Sequence, residues 1–304
     1  MDETAARKAF MDGLVAEGYF IPTSIPGLVG RTAKFEDLVT GFGRIIDAYS
    51  REDGAERIYF PPLVPRSTLE RAGYLESMPH LAGTVHSFCG KDAEHKELLA
   101  KLSAGDDWGD CLEMTDVALA PAACYPLYPT CKGTLAQGGR LVDLSASYVF
   151  RREPSDDPAR LQMFRQREIV RVGSPDEVMQ WREVWLDRGF ELLRSLGLEA
   201  KVDEASDPFF GRGGRMMAAT QRQQKLKFEI LVPICSEEKP TALTSFNYHR
   251  SHFGETFDIR THDAEHAHTA CLGFGAERVT LALIKRHGFD LASWPDSVRS
   301  RLLP

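Results

Sequence analysis

Residues 149–170 read VFRREPSDDPARLQMFRQREIV, two strand-like runs around a polar loop, with arginine and glutamate threaded through both. Side chains alternate across a strand, so Arg151 and Glu153 share one side of the first run. On the second, Phe164, Gln166 and Glu168 point together, and Arg165 and Arg167 point to the other side. Carboxylates and guanidinia are almost never fully buried without partners, so this hairpin is not built for an apolar core alone. A face carrying an arginine, an aromatic ring and carboxylates suits a nucleotide: guanidinium for phosphate, ring for base, carboxylate for an amino group. A solvated hairpin with cross-strand ion pairs, each worth ~0.2–1 kcal/mol, accommodates the same residues.

The rest of the chain frames the hairpin. Phe35, Leu38, Val39, Phe42, Ile45, Ile46 and Tyr49 fall at helical spacing, and ERIYFPPLVPR then predicts a short strand running into prolines. A second long helix starts at Ser174 as N-cap, with Pro175 in the first helical position, Glu177 closing a capping box and Gly197 as the stop. GGRMMAATQRQQKLK predicts a basic helix, FEILVPI a buried strand, and TACLGFGAERVTLALIKRHG a strand, a glycine turn and a buried helix. Strands and helices alternate without the βαβ rhythm, which predicts an α+β fold with an antiparallel sheet flanked by helices. No Pro/Gly-rich linker divides the 304 residues, so 1–304 reads as a single domain.

Charge and cysteine usage narrow the function classes. Lys plus Arg is 37 against 44 Asp plus Glu, a net charge of −7, which argues against a broad grip on nucleic acid. There is no membrane-length apolar run and no basic-then-apolar start, so the reading is cytoplasmic. The six cysteines show no short repeated spacing; most read as small buried apolar residues, with two or three free for a metal.

VFRREPSDDPARLQMFRQREI resembles motif 2 of class II aminoacyl-tRNA synthetases, GFGAERVTLAL resembles motif 3, and the 35–49 helix followed by IYFPP resembles motif 1, the dimer-forming segment. The three occur in the family's order across nearly the whole chain. The resemblance implies a class II synthetase-like homodimer in which Arg151 holds the α-phosphate of ATP and the activated carboxylate. It implies that Glu153 contacts the adenine end, Phe164 stacks on adenine and Arg278 clamps the γ-phosphate. An arginine in the first turn of a helix gains from the positive end of the helix dipole. Such a site stabilises a pentavalent phosphorus centre by preorganised cations, and Mg²⁺ is expected to bridge phosphate oxygens.

Within the superfamily, PAACYPLYP, DPARLQMFRQRE, DPFFGRGG and KFEILVPI look like the bacterial amino acid:[carrier protein] ligases, truncated relatives of the methanogen-type seryl-tRNA synthetases. That resemblance implies a zinc held by Cys124, Glu168 and Cys271, with an open fourth position for the amine of an amino acid. Cys131, seven residues on, is a rival ligand outside the family's pattern. It places Lys227 in the amino-acid pocket, with Glu229 on the same strand face, and gives Ser245 and Asn247 to substrate or ATP; an ion pair is the bland reading of Lys227 and Glu229. The acidic Mg²⁺ ligand of ordinary seryl enzymes has no counterpart, Thr241 and Thr244 lying there.

The first motif begins by about residue 35, leaving no room upstream for a tRNA-binding arm, so the expected acceptor is the phosphopantetheine thiol of an acidic carrier protein. Glycine is the family's usual substrate and alanine its alternative. The basic helix around Arg215, Arg222 and Lys225 is a candidate dock, or simply a solvated face. A tRNA-charging enzyme and a non-catalytic regulatory paralogue are the competing readings; the intact set Arg151, Glu153, Phe164 and Arg278 speaks against the second.

Three patterns are discounted. HDAEH at 262–266 fits a zinc-protease expression but reads as a loop, GFGAER lacks a third glycine, and GRGGR lacks the Lys-Ser/Thr of a P-loop. Trp181 and Trp185, four apart on a helix, read as core.

Overall fold

The computed structural model describes residues 2–153 and 155–303. Its centre is a seven-stranded sheet of β1 (Glu56–Arg57), β2 (Arg140–Phe150), β3 (Met163–Gly173), β4 (Lys201–Glu204), β5 (Lys227–Val232), β6 (Thr241–Arg250) and β7 (His268–Gly275). The spatial order is β4-β5-β6-β7-β3-β2-β1, antiparallel throughout except for the parallel β1/β2 edge pair. The fold is α+β, as the interspersed strands and helices predict.

Helices α1 (Ala33–Glu52), α2 (Pro175–Ser195) and α4 (Ala276–His287) cover one face of the sheet, whereas α3 (Gly211–Gln223) buries only Gly214. The covered face holds Phe35, Phe42, Trp185, Phe246 and Phe274, each at most 1% exposed. Burying a side chain of this size stabilises by ~1.5–3 kcal/mol. Gly189 lets α2 lie close to the sheet, since a Cβ there would meet the Phe246 ring at 2.9 Å. The capping box at the head of α2 forms as predicted: the Ser174 amide donates to Glu177 Oε2 at 3.0 Å, and Gly197 ends the element with φ +82°.

The second face packs around Tyr128, Val149, Val170, Phe253 and Phe257 and carries the functional residues. Above it stands a small sheet of Leu63–Pro65, Glu113–Leu119 and Thr84–Ser87 that the sequence reading did not resolve.

Two element boundaries correct the expectations. The strand predicted from ERIYFPPLVPR is two residues long in the main sheet, because Pro61 and Pro62 have no N–H to offer a ladder and Tyr59 turns out to solvent. β2 ends at Phe150, so Arg151 and Glu153 lie just beyond the strand rather than on one of its faces. The Arg151 amide still donates to the Gln162 carbonyl at 2.9 Å, but the Glu153 amide folds back onto the Arg151 carbonyl at 2.8 Å and takes the backbone off the ladder.

Candidate active site

β3 alternates as its sequence requires. Its helix-facing side carries Arg165 and Arg167, each paired: Arg165 with Glu36 and Glu277, and Arg167 with Asp47 and Asp143 at 2.5 and 2.6 Å. Its other side presents Phe164, Gln166 and Glu168 to two adjoining cavities.

The smaller cavity, about 50 Å³, is lined by Arg151, Phe164, Glu229, Thr244 and Arg278 among others. The guanidinium carbons of Arg151 and Arg278 lie 5.9 and 5.7 Å from the centre of the Phe164 ring. Arg278 stands in the first turn of α4, where Nε donates to the Ala159 carbonyl at 2.8 Å and Nη1 to that of Ala242 at 3.1 Å. Its remaining donors are left for the cavity. Burial, with the nearby positive charges of Arg151 and Arg160, pushes Arg278 down to about 10. The pair is thus a concentrated positive site that an anion would relieve.

The larger cavity, about 110 Å³, is lined by Tyr74, Met78, Leu81, Cys124, Glu168, Asn247, His249 and Cys271. Arg151, Gln166, Lys227, Ser245 and Gly273 line both, so one wall serves two chambers. Lys227 Nζ pairs with Asp207 at 2.7 Å and with Glu229 at 3.1 Å; burial opposes its charge, but these two carboxylates hold it above the ordinary lysine value. The ion pair predicted for Lys227 and Glu229 therefore exists and includes a third member. Glu153 lines neither cavity; it faces Arg160 at 3.4 Å.

Cys124, Glu168 and Cys271 come from a loop and two strands, yet each offers one donor atom within 4.8 Å of the others, and all three are buried. Burial raises the Glu168 carboxyl, and its Oε2 has no hydrogen-bond partner. A hydrogen bond to Cys271, burial and the Glu168 charge drive the Cys124 thiol well above its usual range. Two thiols and an orphaned carboxylate oxygen, all acidic and crowded away from water, suit a divalent cation of zinc's preferences. Cys131 lies outside the cluster and receives a hydrogen bond from Arg140.

Three further residues belong to the site. His249 extends the Ser245–Asn247 face by one more period of two; burial holds it down to about 4, and its ring nitrogens face Thr269 Oγ1 at 2.9 Å and Cys271 Sγ at 3.8 Å. Gln166 Oε1 accepts the Ala123 amide at 3.1 Å and so fixes the loop bearing Cys124. Asp207, in the segment before α3, carried no periodic signal. Residues 262–266 form a turn before β7, off any helix, as expected for HDAEH. Lys225 lies beyond the end of α3 with φ +51° and pairs with Glu204, so it is not part of the basic helix.

A seven-stranded, mainly antiparallel sheet with helices on one face and paired cavities on the other is the fold of class II aminoacyl-tRNA synthetases. In fold, the chain matches the Methanopyrus kandleri seryl-tRNA synthetase crystallised with A. aeolicus tRNASec, with a TM-score of 0.81 and 24% identity over 96% of this chain and 59% of that one. In sequence it is 46% identical over 290 residues to amino acid–[acyl-carrier-protein] ligase 1 of Bradyrhizobium diazoefficiens, spanning 95% of this chain and 88% of that protein. Ligase 2 of the same organism is 47% identical, over 95% and 86%. The type-2 serine–tRNA ligase of M. kandleri is 27% identical over 85% of this chain and 53% of its own length. The chain belongs to the amino acid–[acyl-carrier-protein] ligase family and is, by that membership, an ATP-dependent ligase. No family model matches it, and no helix of the described residues is long and apolar enough to cross a membrane.

Proposed function

We propose that this chain activates a small amino acid, glycine first and alanine next, as its adenylate and passes it to the phosphopantetheine thiol of a carrier protein. The observation that carries the reading is the common wall: a cation-rich chamber suited to phosphate groups opens beside a chamber suited to a small amino acid. Arg151, in both, is positioned to hold the carboxylate and the α-phosphate together. The amino-acid carboxylate attacks the α-phosphorus and pyrophosphate leaves; the carrier thiol then attacks the acyl carbon and AMP leaves. Phe164 is 7% exposed beneath the two arginines, so adenine would reach the ring by displacing a guanidinium. Arg278 would take the γ-phosphate, Glu153 the adenine end, and Mg²⁺ would accompany the phosphates.

Cys124, Glu168 and Cys271 would hold zinc, which when bound supplies a Lewis acid for the amine. The donor set supports it. Lys227, Ser245 and Asn247 would orient the substrate, and a chamber of about 110 Å³ favours a small side chain. The carrier would dock on α3, where Arg215, Arg222, Met216 and Met217 are exposed, a basic and apolar surface suited to an acidic partner. The reading takes residues 1–304 as one catalytic domain working as a cytoplasmic homodimer; six unpaired cysteines fit a reducing compartment. The net charge of −7 favours a protein acceptor over tRNA.

The deciding experiment is amino-acid-dependent pyrophosphate exchange with each standard amino acid, followed by mass spectrometry of a carrier protein. Exchange with glycine and a mass gain on the carrier are expected. No exchange with any amino acid in Mg²⁺ and Zn²⁺ would remove the enzyme reading, and charging of tRNA instead would change the acceptor.

A further inference from the structure

Helix α3 is tied to the rest of the protein in an unusual way. Among the described residues, its side-chain hydrogen bonds to the body come from one residue, Gln221. Gln221 Oε1 accepts the Asp207 amide at 2.7 Å, and Nε2 donates to Asp207 Oδ2 at 2.9 Å. The other carboxylate oxygen, Oδ1, takes Lys227 Nζ at 2.7 Å. One amide therefore satisfies both the main chain and the side chain of Asp207, the way a ladder partner would.

Asp207 sits mid-way along a strap that closes the amino-acid chamber. The strap is pinned at one end by the Ala205 amide on the Lys227 carbonyl at 3.0 Å and at the other by the Phe210 amide on the Ser77 carbonyl at 2.8 Å. Between those pins, α3 touches the strap where Gly214 packs on Phe209 and where Gln221 grips Asp207. Without the Gln221 amide, the Asp207 N–H and one carboxylate oxygen lose their partners, and between the two backbone pins Lys227 would be, among the described residues, the one side chain still bonded to Asp207. The chamber wall would then be free to yield.

We propose that Gln221 is a positioning residue that sets amino-acid selectivity, acting through Asp207 and Lys227 to hold the chamber at the size of a small substrate. The inference rests on the amino-acid-activation reading and assigns its selectivity to a residue outside the chamber. Loss of the amide relaxes the strap, weakening binding of the small substrate and admitting larger ones, while the second chamber, which shares Lys227 but not Asp207, is affected less.

The test measures pyrophosphate exchange of the full chain with glycine, alanine and serine. In Gln221→Leu, the KM for the preferred amino acid is expected to rise about tenfold or more and its kcat/KM preference over the next larger substrate to fall about tenfold, with the KM for ATP changing severalfold less. The exchanged pair Asp207→Asn with Gln221→Glu restores complementary donors and acceptors, and is expected to recover most of the preference that Gln221→Glu alone loses. A folded Gln221→Leu with unchanged preference overturns the proposal. Should Gln221→Leu not fold, failure of the exchanged pair to recover the preference overturns it equally. Either outcome with an active wild type leaves the activation reading standing; an inactive wild type removes that reading instead.

Discussion

Arg165 Nε donates to Glu277 Oε1 at 2.8 Å, and the Arg165 amide donates to Glu277 Oε2 at the same distance. Arg165 follows Phe164 and Glu277 precedes Arg278, so this contact joins, from behind the sheet, two residues that line the smaller cavity in front. Glu277 is 1% exposed and is shared with Arg31 at 3.2 Å. Each partner keeps a second counter-charge, Glu277 with Arg31 and Arg165 with Glu36, so removing one costs less than the ~3–5 kcal/mol of an uncompensated buried charge. Arg165→Ala or Glu277→Gln is expected to lose about 2–3 kcal/mol in denaturant titrations. A loss below about 1 kcal/mol would show the pair to be no stronger than a surface bridge.

The sulfur and carboxylate cluster predicts that metal and activity go together. Cys124→Ala or Cys271→Ala should lose bound zinc, measured by elemental analysis, and with it amino-acid-dependent pyrophosphate exchange. Full metal content in both variants would move the site elsewhere.

Asp207 gives an acid-range signature. Burial favours its neutral form, but Lys227 and Gln221 outweigh this and hold its pKa at about 2, below the ordinary 3.8. A carboxylate lowered on folding stabilises above its unfolded pKa and loses that contribution as pH falls toward the folded one. The stability gap between wild type and Asp207→Asn should be constant above about pH 4 and shrink steadily below it, as read from thermal midpoints. A gap that does not change with pH would mean that the charge contributes nothing.

The exposed face of α3 separates the two half-reactions. Reversing Arg215 and Arg222 to glutamate should lower kcat/KM for carrier loading about tenfold or more and leave pyrophosphate exchange intact. The difference should narrow as salt rises. Equal loading by both forms would place the dock on another surface.

How much of this could be read in the sequence depended on whether the cause was local. The apolar spacing from Phe35 to Tyr49 and the Ser174–Glu177 cap are set within one turn or a few, and both appear where predicted. The β3 alternation delivered Phe164 and Glu168 to one side and the paired arginines to the other. His249 was within reach of the same alternation. The end of β2 before Arg151 was not, because past the Arg151–Gln162 bond the Glu153 amide turns back onto the Arg151 carbonyl, a fold-back that alternation does not encode. Asp207 and Gln221 were silent for a related reason: their meaning lies in a strap and a helix meeting, and neither residue departs from the pattern of a polar surface.

The wall common to the two chambers bears on any attempt to change the substrate. On the proposed reading, a substitution at Arg151, Gln166, Lys227, Ser245 or Gly273 would touch nucleotide and amino acid at once, so widening the enzyme's repertoire there would damage the chemistry it is meant to redirect. Tyr74, Met78 and Leu81 line the amino-acid side alone. Engineering toward bulkier acyl groups has its free design space on the short helical turns of residues 74–81, not on the core strands.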